Sequence, residues 1–305
     1  MEMSFVAGAG TMNVDLLYSG LPRVPGEGEE LFSAGFAVRL GGGIPATLLN
    51  LRGLNVPVAL QTAWGEDIFS RFAVEQVQTF GLTPVNLYQG GGIPLNVSTV
   101  ILTPGERTFV SYSNGIPAGP ETDRVIYEQS RGAAFVQMGA GSLELYRRLK
   151  AEGAQLLFDT GWSDDLSLEC CREQLLLADY YTPNQKEALK ITGTDTPEAA
   201  AEVLSQYFPR VIVKLDRDGC LIRENGVQRV IPSIPGITCV DSTGAGDAFT
   251  AGLLYGLYHG YSFAECVLLG NITGGTCVTG EGCLTRRCTE EELLRQFRGY
   301  HHFVE

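Results

Sequence analysis

Six short, mostly apolar runs punctuate the chain, at Phe5–Gly8, Val56–Gln61, Ala133–Met138, Gln155–Phe158, Val211–Leu215 and Gly219–Ile222. Apolar runs of this length predict buried strands, and several are separated by segments whose apolar residues recur at helical spacing. Strand and helix in alternation predict an α/β fold with a mainly parallel central sheet flanked by helices. Parallel neighbours need a crossover, and the helix that makes it covers the sheet. From about Ala133 onward the alternation reads as unbroken to the end.

Two segments depart from this rhythm. Tyr18 to Leu40 carries Pro22 and Pro25 among several glycines. Pro94 to Pro120 carries a partly alternating run, Val97–Leu102, a turn at Pro104-Gly105-Glu106 and a second run, Arg107–Tyr112. The second segment predicts a hairpin, and neither segment has room for a crossover helix. Together they predict a small β-sheet lid formed by 18–40 and 94–117, beside an α/β domain formed by 1–17, 41–93 and 118–305. Tyr18, Phe36, Asn96 and Tyr112 are lid candidates for substrate contact, with packing of the lid itself as the alternative reading of each.

Composition narrows the function classes. The 305 residues are 44% apolar and 19% charged, which allows a large core and excludes a disordered chain. A net charge of −13 disfavours nucleic acid and anionic membranes as partners. No uninterrupted apolar stretch is long enough to span a bilayer, and Glu2 stands where a signal peptide carries base, so a cytoplasmic location is expected. The eight cysteines show no CxxC spacing and no nearby histidine, which predicts reduced thiols rather than a zinc site.

Chemistry concentrates in Val240-Asp241-Ser242-Thr243-Gly244-Ala245-Gly246-Asp247, followed by a helix-spaced apolar stretch. Small residues leading into a helix expose backbone N–H groups at the positive end of its dipole, an anion site. A carboxylate in that first turn repels a resting phosphate but can take a proton from an attacking hydroxyl. The same residues also fit a plain helix start, with Asp241 or Thr243 as cap and Asp247 complementing the dipole. Asp15 follows the first strand, at the end of the sheet where open α/β folds bind ligands. Gly41-Gly42-Gly43 permits close backbone approach. Asn184 and Glu187, three apart, fit a helix capping box as well as a polar site.

These residues together resemble the ribokinase-like, PfkB-type carbohydrate and nucleoside kinases. Asp241 to Asp247 is similar to that family's D-T-x-G-A-G-D signature, Asn13-Val14-Asp15 to its N-x-D, Gly41-Gly42 to its di-glycine, Gly65 to Phe69 to its G-x-D-x-F, and Asn184 to Glu187 to its N-x-x-E. The resemblance implies a ribokinase-like fold that transfers the ATP γ-phosphate to a sugar or nucleoside hydroxyl. It implies Asp247 as base and the amides of Gly244, Ala245 and Gly246 as anion hole. Asn13, Asp15, Gly41, Gly42 and Asn96 are then expected at the acceptor, and Asn184, Lys214, Gly219 and Thr243 at the nucleotide phosphates. Glu187 would act on Mg2+ through water, and Asp241 would stand where relatives hold a monovalent cation, K+, through backbone carbonyls.

The chain departs from the family at Ala46, where an asparagine is usual, with Asn50 one turn further along. It departs again at Lys214-Leu215-Asp216, where T-L-G is common. Low aromatic content in the lid favours a sugar over a nucleoside. A silent sugar-binding protein on the same fold is disfavoured by the intact base and glycines. A Rossmann oxidoreductase is disfavoured because Gly8-Ala9-Gly10-Thr11-Met12-Asn13 lacks the third glycine. The open edges of the lid suggest pairing with a second copy.

Overall fold

The computed structural model describes residues 4–104 and 107–305. Its elements run β1 (Val6–Ala9), β2 (Asn13–Ser19), β3 (Gly35–Leu40), α1 (Ile44–Gly53), β4 (Val58–Thr62), α2 (Ile68–Thr79), β5 (Val85–Asn86), β6 (Asn96–Leu102) and β7 (Arg107–Tyr112). They continue with α3 (Pro120–Ser130), β8 (Phe135–Gln137), α4 (Leu143–Ala151), β9 (Gln155–Phe158), α5 (Arg172–Leu177), β10 (Tyr180–Tyr181), α6 (Gln185–Thr192) and α7 (Pro197–Leu204). The chain closes with β11 (Arg210–Lys214), β12 (Cys220–Glu224), β13 (Val227–Ile231), α8 (Ala245–Tyr258), α9 (Phe263–Cys277) and α10 (Glu290–Tyr300). The six apolar runs are strands, with bounds that agree to about two residues.

A six-stranded sheet of order β10-β9-β8-β1-β4-β5 forms the centre, and every pairing in it is parallel. Alternate residues of β1 face opposite cores: Val6 joins one apolar cluster, Ala7 and Ala9 the other. Helices cover both faces, which accounts for strands that carry no charged residue. An isolated parallel bridge between Asn184 and Lys214 carries the pairing from the β10 edge to β11.

The unbroken alternation expected after Ala133 fails in two places. Strands β11, β12 and β13 form an antiparallel meander. The reason is local: Asn225 and Gly226 sit at φ 53° and 78°, a two-residue turn that folds the strand back with no crossover. That Asn-Gly pair was the available signal. After β13 the described chain is helical, and α8 buries Ala248 through Gly256 against α9.

The two interrupting segments form a four-stranded sheet of order β3-β2-β6-β7, mixed because β2 and β6 run parallel. It begins at Asn13, ahead of the boundary at 18, because four-residue β1 ends at Ala9 and the chain crosses to the second sheet over Gly10-Thr11-Met12. Asp15 therefore lies within β2, not in a loop after the first strand. The hairpin pairs Leu102 with Arg107 and Val97 with Tyr112; residues 105 and 106 of its expected turn lie outside the described residues. Among the described residues all eight cysteines are free, and no helix is long and apolar enough to cross a membrane.

Candidate active site

Helix α8 begins at Gly244 with φ 77°, and no side chain caps it. A Cβ on Gly244 would stand 2.1 Å from that of Cys283, so both backbone angle and crowding demand glycine. An uncapped first turn leaves N–H groups for an anion, with the dipole reinforcing them. Helix α1 also lacks a side-chain cap of its own. Its N-terminal residue Gly43 donates its N–H to Asp247 Oδ2 at 2.9 Å. The starts of the two helices thus converge on one carboxylate. A Cβ on Gly42 would lie 2.5 Å from the same oxygen, so glycine is what lets that backbone approach.

The Asp247 carboxyl is half-buried and pushed up to about 7. Burial is the main cause; the Gly43 bond and Lys214 oppose it, and the negative charge of Asp159 adds to it. Lys214, at the end of β11, puts its Nζ 3.9 Å from Asp159 Oδ2 and would meet a Cβ on Gly246 at 3.2 Å. Its positive charge also lowers the Glu187 and Asp247 carboxyls, as it does Asp159. Burial raises the Asp159 and Glu187 carboxyls despite it.

Asn184 and Glu187 form a full capping box at the start of α6: Asn184 N–H donates to Glu187 Oε2 at 2.9 Å, and Glu187 N–H donates to Asn184 Oδ1 at 3.0 Å. The bridge to Lys214 brings this box beside the anion site. Gly219 is set by a turn: its φ is 99°, and a Cβ would lie 2.2 Å from the Ile231 carbonyl.

The small sheet supplies a second polar surface. Register places Asn13, Asp15, Asn96, Ser98, Arg107 and Ser111 on one face, with Arg39 beside Asp15. Asn13 Nδ2 donates to Asp15 Oδ1 at 2.8 Å, Ser98 Oγ to Asn13 Oδ1 at 3.3 Å, and Ser98 and Ser111 share a bond of 2.9 Å. A Cβ on Gly41 would lie 2.5 Å from Asn13 Nδ2, so Gly41 makes room for that amide. Asp15 is only 5% exposed and is raised to about 6, first by burial, then by the charge of Asp241, against the Asn13 bond. Asn96 Oδ1 and Arg39 Nε on this face are buried with no partner. Buried polar atoms in that state suit a ligand's hydroxyls.

Alternation decides three of the lid candidates. Tyr18, Phe36 and Tyr112 pair on the opposite face from Asp15, with Tyr18 and Phe36 rings 5.1 Å apart, so they are packing and surface residues. Asn50, one turn beyond the fully buried Ala46, donates its Nδ2 to the Ala46 carbonyl at 2.9 Å within α1.

Arg107 joins the two surfaces. Its guanidinium donates to Asp241 Oδ1 at 2.8 Å, Ser242 Oγ at 2.8 Å and Thr243 Oγ1. Gly282 N–H and Thr243 N–H also donate to the Asp241 carboxylate, each at 2.9 Å. Burial alone would raise Asp241, but these donors and the Arg107 charge hold it below its ordinary value. Both its oxygens accept hydrogen bonds, and the Thr243 hydroxyl donates to Oδ1 at 2.7 Å as well. Among the described residues no cluster of three or more His, Cys, Asp or Glu side chains could hold a metal directly.

Sequence reasoning missed Asp159, Arg39 and Arg107. Asp159 directly follows β9, and the rule that singled out Asp15 at a strand's carboxyl end would have found it. The other two have no local signal.

A family model described as pfkB family carbohydrate kinase matches residues 33–290. A ribokinase of Lactococcus lactis is 25% identical over 293 residues, covering 88% of each chain. An uncharacterized sugar kinase of Archaeoglobus fulgidus is 32% identical over 145 residues, 47% of this chain and 58% of that protein's length. The structure of Arabidopsis thaliana ribokinase, solved with ribose and ATP, superposes with a TM-score of 0.83 at 23% identity, covering 97% of this chain and 99% of that one. The chain belongs to the pfkB family of carbohydrate kinases and is a phosphotransferase of the sugar and nucleoside kinase class.

Proposed function

We propose that this kinase moves the γ-phosphate of ATP onto a hydroxyl of a sugar or sugar derivative, with Asp247 as general base and the 244–246 backbone as anion hole. The observation that carries this reading is the Asp247 carboxylate: it stands in the first turn of uncapped α8, is lifted to about 7, and is held by the Gly43 amide. A base poised near neutral pH combines availability with driving force for proton removal. Backbone donors aimed at the transferring group need no reorganisation during the reaction.

Asn13 and Asp15 would bind adjacent hydroxyls, with Asn96 and Arg39 supplying buried groups that need partners and Gly41 and Gly42 allowing the approach. Asn184, Lys214 and Thr243 would lie along the nucleotide phosphates, with Gly219 shaping the turn beside them. Glu187, with one oxygen tied by its capping box, suits a hydrated Mg2+ better than direct ligation, since Mg2+ keeps much of its water shell. When bound, that ion neutralises charge on the phosphates. Arg107 would hold the small sheet over the anion site as a lid. Edge strands β3 and β7 are where a second copy would pair.

The test is Asp247→Asn under saturating MgATP across a panel of sugars and nucleosides. A fall in kcat on the order of 10²–10⁴-fold is expected for loss of a general base; turnover close to wild type would refute the assignment.

A further inference from the structure

Two buried cysteines pack against the loops that meet at Asp247 and have no part in the chemistry proposed above. Cys277 ends α9, and Cys283 follows it after the turn 278–282. That turn runs along the approach to α8. The Val278 carbonyl accepts the Val240 and Asp241 N–H groups at 2.7 and 3.2 Å, and Gly282 N–H donates to the Asp241 carboxylate.

Cys283 touches both loops. Its Cβ leaves no room for a side chain on Gly244, where a Cβ would stand 2.1 Å away. Its Sγ donates to the Leu40 carbonyl at 3.1 Å, directly before Gly41-Gly42-Gly43 and 243 positions distant in the chain. Cys277 braces this contact: its Sγ has the Thr243 carbonyl at 3.6 Å and the Cys283 carbonyl at 3.5 Å as acceptors. Burial raises both thiols, and the charge of Asp247 adds to it, with Asp241 at Cys277 and Asp15 at Cys283; Cys277 is pushed up to about 12. A buried, protonated thiol is inert as a nucleophile but keeps a weak S–H donor, so what it offers here is position.

We propose that Cys283 is a positioning residue of the kinase, tying the 40–43 loop to the 243–246 loop so that the Gly43 amide and the start of α8 stay fixed around Asp247, with Cys277 holding Cys283 in place. This role rests on the kinase reading above; the tie between the loops does not. Preorganised donors lose rate when they are free to shift, and a displacement of about 1 Å can cost on the order of 10²-fold.

The test compares wild type with Cys283→Ala, Cys283→Ser, Cys277→Ala and Cys266→Ala. It reads MgATP-dependent turnover of an acceptor that wild type phosphorylates, thermal unfolding, and hydrogen exchange by mass spectrometry. Alanine at 283 keeps the Cβ against Gly244 and removes only the sulfur, while serine restores a donor. Cys266 is fully buried in α9 with its Sγ on the Tyr261 carbonyl, and controls for loss of a buried thiol away from the site.

Expected for Cys283→Ala are a kcat lower by about fivefold or more, with acceptor KM little changed, and faster exchange in segments 40–46 and 240–247 while 263–276 keeps its rate. Cys283→Ser recovers at least half of the lost kcat on a logarithmic scale. Cys277→Ala lowers kcat by about twofold or more, and decides the matter if Cys283→Ala does not fold. Cys266→Ala lowers Tm and leaves kcat unchanged. Smaller losses of kcat, no recovery with serine, or an equal loss in Cys266→Ala overturns the positioning role. If wild type phosphorylates no sugar or nucleoside, the kinase reading fails and exchange alone decides the tie. Faster exchange confined to the two loops in Cys283→Ala upholds it; unchanged exchange, or exchange raised equally in 263–276, overturns it.

Discussion

The first turn of α8 and the inner face of the small sheet each bring an aspartate to the site, half-buried Asp247 and buried Asp15, and they hold it differently. Asp247 is fixed by a backbone amide at the junction of two helix N-termini, while Asp15 is fixed by the side chain of Asn13 in a network with Ser98 and Ser111. Burial raises both, to about 7 and about 6. Backbone donors tolerate changes in side chains, whereas a side-chain network can be redrawn without moving the helices. Under the proposed function, the helix end would carry the reaction and the sheet the choice of acceptor.

The sharpest break of this contrast is a pair of isosteric changes. Asp247→Asn should cut kcat by about 10²–10⁴-fold with acceptor KM little changed. Asp15→Asn should instead raise acceptor KM by about 10–100-fold, the worth of a charged hydrogen bond, with a smaller effect on kcat. If both variants move the same parameter, the division of labour is wrong. Next in size, Gly244→Ala should cost about 2–5 kcal/mol in urea unfolding, from a strained φ plus overlap with Cys283, and abolish turnover. The equivalent insertion on the sheet side, Gly41→Ala, should leave kcat higher than Gly244→Ala does, because it displaces a flexible amide.

Arg107 tests the link between the regions. Arg107→Ala should lower kcat/KM by about tenfold while unfolding free energy changes by about 1 kcal/mol, since the guanidinium is 31% exposed. Arg107→Lys should restore only part, because one ammonium cannot span Asp241 and Ser242 together. The smallest effect is in pH. Turnover should rise through about pH 7 as Asp247 loses its proton. Stability runs the other way: the folded state keeps a proton that the unfolded chain has released above about 4, so this group destabilises the fold as pH rises towards 7. Asp247→Asn should therefore raise Tm by on the order of 2–4 °C at pH 8 and less at pH 5.

Much of this was legible along the chain. The glycine loop before α8 reads as a helix start because one contiguous stretch both ends a loop and begins a helix, while Asn13 with Asp15 stands out through its resemblance to the family's N-x-D. The Asn225-Gly226 turn was equally local and shows that a strong hairpin signal outweighs an apparent alternation of strands and helices. Which lid residues face the site was not legible, since Tyr18 and Asp15 differ only by the parity that strand register imposes.

The amino-acid order by itself determined the α/β class and the helix start after Gly244, because each depends on neighbours within a few residues. Only the folded chain decided that Gly43 grips Asp247 across 204 positions and that Arg107 reaches Asp241 across 134. It also decided how far each carboxyl is raised or lowered. Those outcomes depend on which groups packing brings together and how much water it removes, and no local pattern encodes either.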